Sequence, residues 1–155
     1  TICLLDRPRH AKIIEILNEL KVKKKLISDG DVSGALLVTD EKFNVDMFIG
    51  IGGGPEGVLA ASALDAYDCF FQGRFLFDNE NDIKRANKMG IKDLKKKYNL
   101  KEIVSGDSIF VATGITDSDL MLGIKEEKNH YISETLVTHK NSKITEVRRR
   151  KDLIT

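Results

Sequence analysis

The sequence predicts an α/β fold built around a mixed β-sheet, and two observations carry that reading. Short apolar runs that read as strands alternate with segments of helical spacing, in the order strand, helix, strand, helix, strand. One of those runs, VDMFIGI at 45–51, is apolar almost throughout, as expected of a strand covered on both faces. The chain's 155 residues, 41% of them hydrophobic, suffice for one globular core, so residues 1–155 read as a single domain.

ICLLD at 2–6 is the first strand. Pro8 opens a helix over Ala11 to Leu20, where Ile13, Ile14, Ile16, Leu17 and Leu20 recur at helical spacing. KLIS at 25–28 is the second strand, and SDGDVSGALL turns into a helix at 32–38 with Asp31 placed as its N-cap. The third strand, 45–51, runs into a glycine-rich turn and an Ala- and Leu-rich helix from about Glu56 to Tyr67. FFQGRFLF at 70–77 reads as a fourth strand. Residues 79–98 are strongly charged with a thin apolar stripe, which predicts one or two surface helices broken near Gly90. SIFVATGIT at 108–116 is a strand. HYISETLVTHK and KITEVRRRKDL predict a closing hairpin around Asn141-Ser142 that adds antiparallel edges to the sheet.

A formal net charge of +1, with 32% charged residues of both signs interspersed, leaves no field to draw in nucleic acid or an anionic membrane, and neither is expected as a partner. TICLLDRPRH is apolar for too few residues to be a secretory core or a membrane span, so a soluble chain is expected. Cys3 and Cys69 are far apart in apolar stretches, which suits small buried side chains in a reducing, cytoplasmic compartment. A strand-like run at residue 2 without an initiator Met predicts that the chain is cut from something longer.

Four stretches that could carry chemistry fall at the C-terminal ends of predicted strands, where open α/β sheets place their ligands. In Asp6-Arg7-Pro8-Arg9-His10, two guanidinium forks suit phosphate oxygens, although two arginines near a helix start also read as surface residues. His10 is given no catalytic role. In Ser28-Asp29-Gly30-Asp31 the paired carboxylates suit a metal, sugar hydroxyls or a helix cap. Gly52-Gly53-Gly54 lets the backbone approach a ligand closely, but it lacks the Lys and Ser/Thr of a P-loop and the spacing of a dinucleotide fingerprint. Ala112-Thr113-Gly114-Ile115-Thr116-Asp117 is polar and also reads as an ordinary turn.

Together, arginines, paired aspartates, a glycine turn and a glutamate describe a site for a phosphorylated polyol with a divalent cation beside it. The cation accounts for Glu56, which would repel a bare phosphate at the mouth of its helix. A magnesium ion bridging carboxylate and phosphate oxygens turns that repulsion into attraction.

In order and with compatible spacing, DRPRH, LISDGDVSGAL, DMFIGIGGGPEGVLAASAL, FQGRF, FVATGIT and ETLVTHKNSKI resemble the C-terminal half of class II fructose-1,6-bisphosphatase, the bacterial type. GGGPEGVLAA and SDGDVSGA are the specific segments; DRPRH and ATGIT support them. The resemblance implies the layered α/β sandwich of the metal-dependent sugar phosphatases. It implies Mg2+- or Mn2+-dependent hydrolysis of the 1-phosphate of fructose 1,6-bisphosphate in gluconeogenesis, with sedoheptulose 1,7-bisphosphate as a second substrate in some members.

Carried over by motif, the resemblance implies that Arg7 and Arg9 contact the phosphate that is not cleaved. It implies that Asp29, Gly30 and Asp31 hold the sugar hydroxyls, that Gly53 offers a backbone contact, and that Glu56 is the metal ligand of this half. No catalytic residue is identified here. The resemblance covers only a C-terminal half, and the N-terminal half, which in the family supplies most metal ligands and activates the water, is expected to be missing from this chain, so the chain alone is expected to be inactive and to need that half as a partner. Homo-oligomerisation stays open. The alternatives are a sedoheptulose-bisphosphate or inositol-phosphate phosphatase of the same superfamily, and a non-catalytic sugar-phosphate-binding domain.

Overall fold

The most deeply buried strand is β1 (Ile2–Leu5), whose Cys3, Leu4 and Leu5 are almost wholly removed from water. In the computed structural model, which describes residues 1–154, β1 is the centre of a three-stranded parallel sheet in the order β2-β1-β3. β2 spans Lys24–Ile27 and β3 only Met47–Phe48; Leu5 stands opposite Ile27 and Cys3 opposite Phe48. Parallel neighbours need crossovers. Helix α1 (Ala11–Glu19) joins β1 to β2, and α2 (Asp31–Leu36), extended by a short 3-10 turn at Leu37–Thr39, begins the return to β3.

Helix α3 (Gly54–Asp65) leaves this sheet and carries the chain to β4 (Gln72–Gly73), α4 (Glu80–Lys88), β5 (Tyr98–Asn99), α5 (Leu100–Ile103), β6 (Ile109–Thr113), β7 (Lys125–Glu127), β8 (His130–His139) and β9 (Ile144–Leu153). β9 pairs along the whole of β8 on one edge. On the other edge β8 pairs with β6 through residues 135–139 and with β7 through 130–132, all antiparallel. β4 and β5 form a separate two-stranded antiparallel ribbon.

The expected single mixed sheet is therefore corrected: parallel and antiparallel strands lie in separate sheets. The reason is the pair of helices between them. α2 packs on β1 and β3, α3 packs on β6 and β8, and the two helices pack on each other. The main core is built accordingly from Ala35 and Leu36 of α2, Ala60, Ala63 and Leu64 of α3, and Phe110 and Leu136 of the antiparallel sheet. Gly34 allows the close approach of α2 to the parallel sheet, since a Cβ there would lie 2.6 Å from Ile27 Cδ1 and 2.7 Å from Phe48 Cε2.

Several elements are shorter than their patterns predict. The apolar run at 45–51 yields a two-residue strand, because after Ile49 donates to the Cys3 carbonyl the chain turns away through glycines. FFQGRFLF pairs only at Gln72–Gly73; its aromatic residues instead cluster, with Phe75 5.7 Å from Tyr98 and 6.1 Å from Phe77. The charged run forms α4, capped by Asn79, and stops where Gly90 adopts φ +87°; residues 91–97 form no second helix. The terminal hairpin forms as expected. Asp31 is the first residue of α2, and its cap is Gly30.

Candidate functional site

The C-terminal ends of β1, β2 and β3 bring three of the four sequence stretches to one edge of the parallel sheet. After β1, Arg7 is extended (φ −132°, ψ 148°), as the residue before a proline must be, and Pro8–His10 makes a 3-10 turn into α1. After β2, Gly30 takes a left-handed conformation (φ +89°, ψ 72°) that other residues rarely adopt, and the turn delivers Asp31 to the first turn of α2. After β3, Gly53 caps α3 and Glu56 occupies the third helical position.

A cleft of 410 Å³ opens at this edge, lined by Arg9, Asp31, Ile51, Gly52, Gly53 and Glu56. Arg9 donates from a terminal nitrogen to Asp31 Oδ2 at 3.5 Å and from Nε to the Ile51 carbonyl. Asp31 Oδ1 is buried and unpaired among the described residues. The Glu56 carboxylate folds back over Gly53, so that a Cβ on Gly53 would lie 2.3 Å from Oε2. Beside the cleft, Arg7 pairs with Asp29 at 3.5 Å. The two arginines thus face the two aspartates, each set spaced two residues apart. The Arg7–Asp29 pair is solvent-exposed enough to contribute little to stability, about 0–1 kcal/mol, so Arg7 can exchange a carboxylate for a phosphate at small cost, whereas the Asp31 end of the Arg9 pair is largely shielded from water.

Of the residues singled out by sequence, Arg9, Asp31, Gly53 and Glu56 meet in the cleft. Arg7 and Asp29 sit alongside it as a pair, and Gly30 shapes the turn between the aspartates. Asp29 lines a second cavity of 350 Å³ shared with Ser28, Ser33 and Asp117–Leu120. Of the fourth stretch only Asp117 lines that cavity, and none of it lines the Arg9 cleft. Asp117 and the following residues close a loop. Asp117 accepts from the Gly123 amide at 2.8 Å, Ser118 accepts from the Met121 amide, and a Cβ on Gly114 would strike the Leu122 carbonyl at 2.3 Å.

Two features escaped sequence reasoning. His10 is fully buried, and its Nε2 accepts the Ile51 amide hydrogen at 2.8 Å. Its partner is a backbone group 41 residues away, which no local pattern announces. Lys25 pairs at 2.5 Å with Asp119, which lines the second cavity.

The hard oxygen donors Glu56 and Asp31 suit a magnesium-like ion. Among the described residues, however, no three His, Cys, Asp or Glu side chains converge to hold a metal. The donors fit a partial coordination shell only.

The family described as bacterial fructose-1,6-bisphosphatase, glpX-encoded, matches residues 1–151. The chain belongs to that family. It is 36% identical over 155 residues to the D-fructose 1,6-bisphosphatase class 2/sedoheptulose 1,7-bisphosphatase of Trichodesmium erythraeum (strain IMS101), covering 92% of this chain and 45% of that protein. Identically named proteins of Synechococcus sp. (strain JA-3-3Ab) and Prochlorococcus marinus (strain MIT 9515) are 35% and 37% identical over 156 and 151 residues. These matches cover 92% and 88% of this chain and 45% of each relative. The chain thus spans about half the length of the curated relatives it matches. Among the described residues no helix is long and apolar enough to cross a membrane.

Proposed function

We propose that this chain supplies the substrate-binding side and one metal ligand of a metal-dependent phosphatase that removes the 1-phosphate of fructose 1,6-bisphosphate, with sedoheptulose 1,7-bisphosphate as a second substrate. The observation that carries the reading is the convergence of Arg9, Asp31, the Gly52-Gly53 turn and Glu56 in one cleft at the ends of three parallel strands. The relatives' names, which join the two bisphosphates, support the substrate class.

In this reading Arg7 and Arg9 hold the phosphate that stays on the sugar. Each releases an aspartate to do so, and the freed Asp29 and Asp31 accept hydrogen bonds from the sugar hydroxyls around the Gly30 turn. Gly53, without a side chain, lets substrate reach the backbone ahead of α3. Glu56 holds Mg2+ or Mn2+. When bound, that ion polarises the phosphoryl oxygens and lowers the pKa of a bound water. The remaining metal ligands come from the half of the relatives' length that this chain does not match. Residues 1–155 then form one domain of the layered sugar-phosphatase type, working in the cytoplasm.

The test is phosphate release by the full-length protein carrying residues 1–155, with Mg2+ or Mn2+, on fructose 1,6-bisphosphate, sedoheptulose 1,7-bisphosphate and an inositol phosphate. Glu56→Gln is run beside it. The expected outcome is turnover on the sugar bisphosphates, a steep loss in the variant and a higher metal concentration for half-activity. Release no faster than background would leave a sugar-phosphate-binding domain in place of an enzyme. If Glu56 only offsets its helix dipole, the variant loses about 0.3–1 kcal/mol of stability and keeps its metal midpoint.

A further inference from the structure

We infer that His10 is a positioning residue that fixes the glycine turn of the candidate site. The inference rests on the phosphatase reading for its consequence in turnover, and on geometry for the contact itself. His10 lies at the junction of the Pro8–His10 turn and α1 and is fully buried. Its Nε2 accepts the Ile51 amide hydrogen at 2.8 Å, so the ring carries its proton on Nδ1, which is buried and without a partner among the described residues. The preceding residue, Arg9, donates from Nε to the carbonyl of the same Ile51.

Consecutive residues of the turn that follows β1 therefore hold both the N–H and the C=O of one residue just beyond β3. That residue precedes Gly52 and Gly53, and the turn it anchors leads directly to Glu56. Turns of glycine are conformationally loose, so the position of this one must be imposed from outside. Arg9 faces solvent and is itself a candidate substrate contact, which frees it to leave Ile51 when phosphate arrives. His10 is sealed from water and has no such alternative. Its unpaired Nδ1 is a cost that a purely space-filling residue would not carry, and it is offset by the bond to Ile51.

The test compares His10→Phe, which fills the site without an acceptor, and His10→Gln, whose amide oxygen reaches about as far as Nε2. Both are made in the full-length protein. Exchange of the Ile51 amide hydrogen with solvent is followed together with the KM and kcat for fructose 1,6-bisphosphate. His10→Phe is expected to speed Ile51 exchange by at least about tenfold and to raise KM by at least about tenfold, with a smaller change in kcat. His10→Gln is expected to restore both.

Faster exchange with unchanged KM would make the bond structural only and overturn the inference. So would unchanged exchange in His10→Phe, or a glutamine variant that stays folded and behaves like the phenylalanine one. If the wild type releases no phosphate at all, the proposed function fails, and the exchange of Ile51 alone decides whether His10 holds the turn.

Discussion

Adding one methyl group at Gly53 tests the placement of Glu56 directly. The backbone there (φ −70°, ψ 155°) is open to alanine, so the substitution brings no conformational strain. Replacing Gly by Ala stabilises by about 0.4–1 kcal/mol through the unfolded chain. Alanine is a poorer N-cap than glycine by a similar amount, so the two effects nearly cancel and stability should stay within about 1 kcal/mol of wild type. The new Cβ would sit 2.3 Å from Glu56 Oε2, closer than the 3.0 Å floor for such contacts, so the carboxylate must retreat by about 0.7 Å or more. A misplacement approaching 1 Å at a reacting centre costs on the order of 10²-fold in rate. The expected result in the full-length protein is therefore a thermal melt close to wild type, phosphate release from fructose 1,6-bisphosphate lowered by about 10- to 100-fold, and a raised metal requirement. Gly57→Ala, one turn further along α3, is the control, because nothing lies within 4 Å of its Cβ and it lines neither cavity. Equal loss in both variants, or a Gly53→Ala enzyme with the wild-type rate and metal midpoint, would refute the placement of Glu56 as a ligand.

Gly34→Ala forces a methyl group against Ile27 and Phe48, and denaturant unfolding should show a loss of about 1–2 kcal/mol despite alanine's better helix propensity; a gain in stability would refute the close packing of α2 on the sheet. Burial pulls the pKa of Asp65 upward, but the hydrogen bond and charge of Lys101, joined by Lys140, outweigh it and hold the carboxyl below its usual range. A lowered carboxylate stabilises above its unfolded-state pKa and loses that contribution as pH falls through its folded-state value. Asp65→Asn should therefore cost about 1 kcal/mol at neutral pH, and the gap from wild type should close as the pH falls below about 4; a gap independent of pH would argue that charge plays no part. Burial raises the thiols of both Cys3, which is fully enclosed, and Cys69, which is half-buried, so a thiol reagent at neutral pH should modify Cys69 first and Cys3 only when the parallel sheet opens.

The elements most legible in the sequence are those whose pattern is local. Pro8 and the apolar spacing of 11–20 locate α1, and the strand-like runs HYISETLVTHK and KITEVRRRKDL on either side of Asn141-Ser142 locate the β8–β9 hairpin. Less legible are segments whose state depends on a distant neighbour. FFQGRFLF has strand propensity throughout, yet only Gln72–Gly73 finds a partner strand, and Phe70 stands almost fully exposed. Conversely β7, which reads KEE, has no apolar signal and exists because β8 offers it an edge. Separation of the parallel from the antiparallel strands could not be read from element order either, since it follows from α2 and α3 packing between the sheets. The convergence of Arg9, Asp31, Gly53 and Glu56 was legible because strand ends in an open α/β sheet share an edge. The role of His10 was not, because its partner is a backbone amide and leaves no trace in residue type.

The charges lining the cleft make a last prediction about the order in which ligands help one another. Arg9 contributes one positive charge and Asp31 and Glu56 one negative charge each, so the lining sums to −1 and opposes an anion. A divalent cation beside Glu56 changes the sum to +1 and favours one. Phosphate and metal should therefore bind with positive coupling, and linkage requires that each raise the affinity of the other by the same factor, expected here at about tenfold or more. Calorimetric titration of the full-length protein with inorganic phosphate, at zero and saturating Mg2+, measures it. Glu56→Gln sharpens the test by reversing one arm: with the lining neutral, the metal-free variant should bind phosphate more tightly than the metal-free wild type, while the gain from adding metal shrinks. A helix-end charge with no ligand function would still repel phosphate, but it would leave the gain from metal unchanged in the variant. Phosphate affinity that ignores Mg2+ in the wild type would mean that cation and anion do not share this cleft, and Glu56 would lose its place beside the substrate.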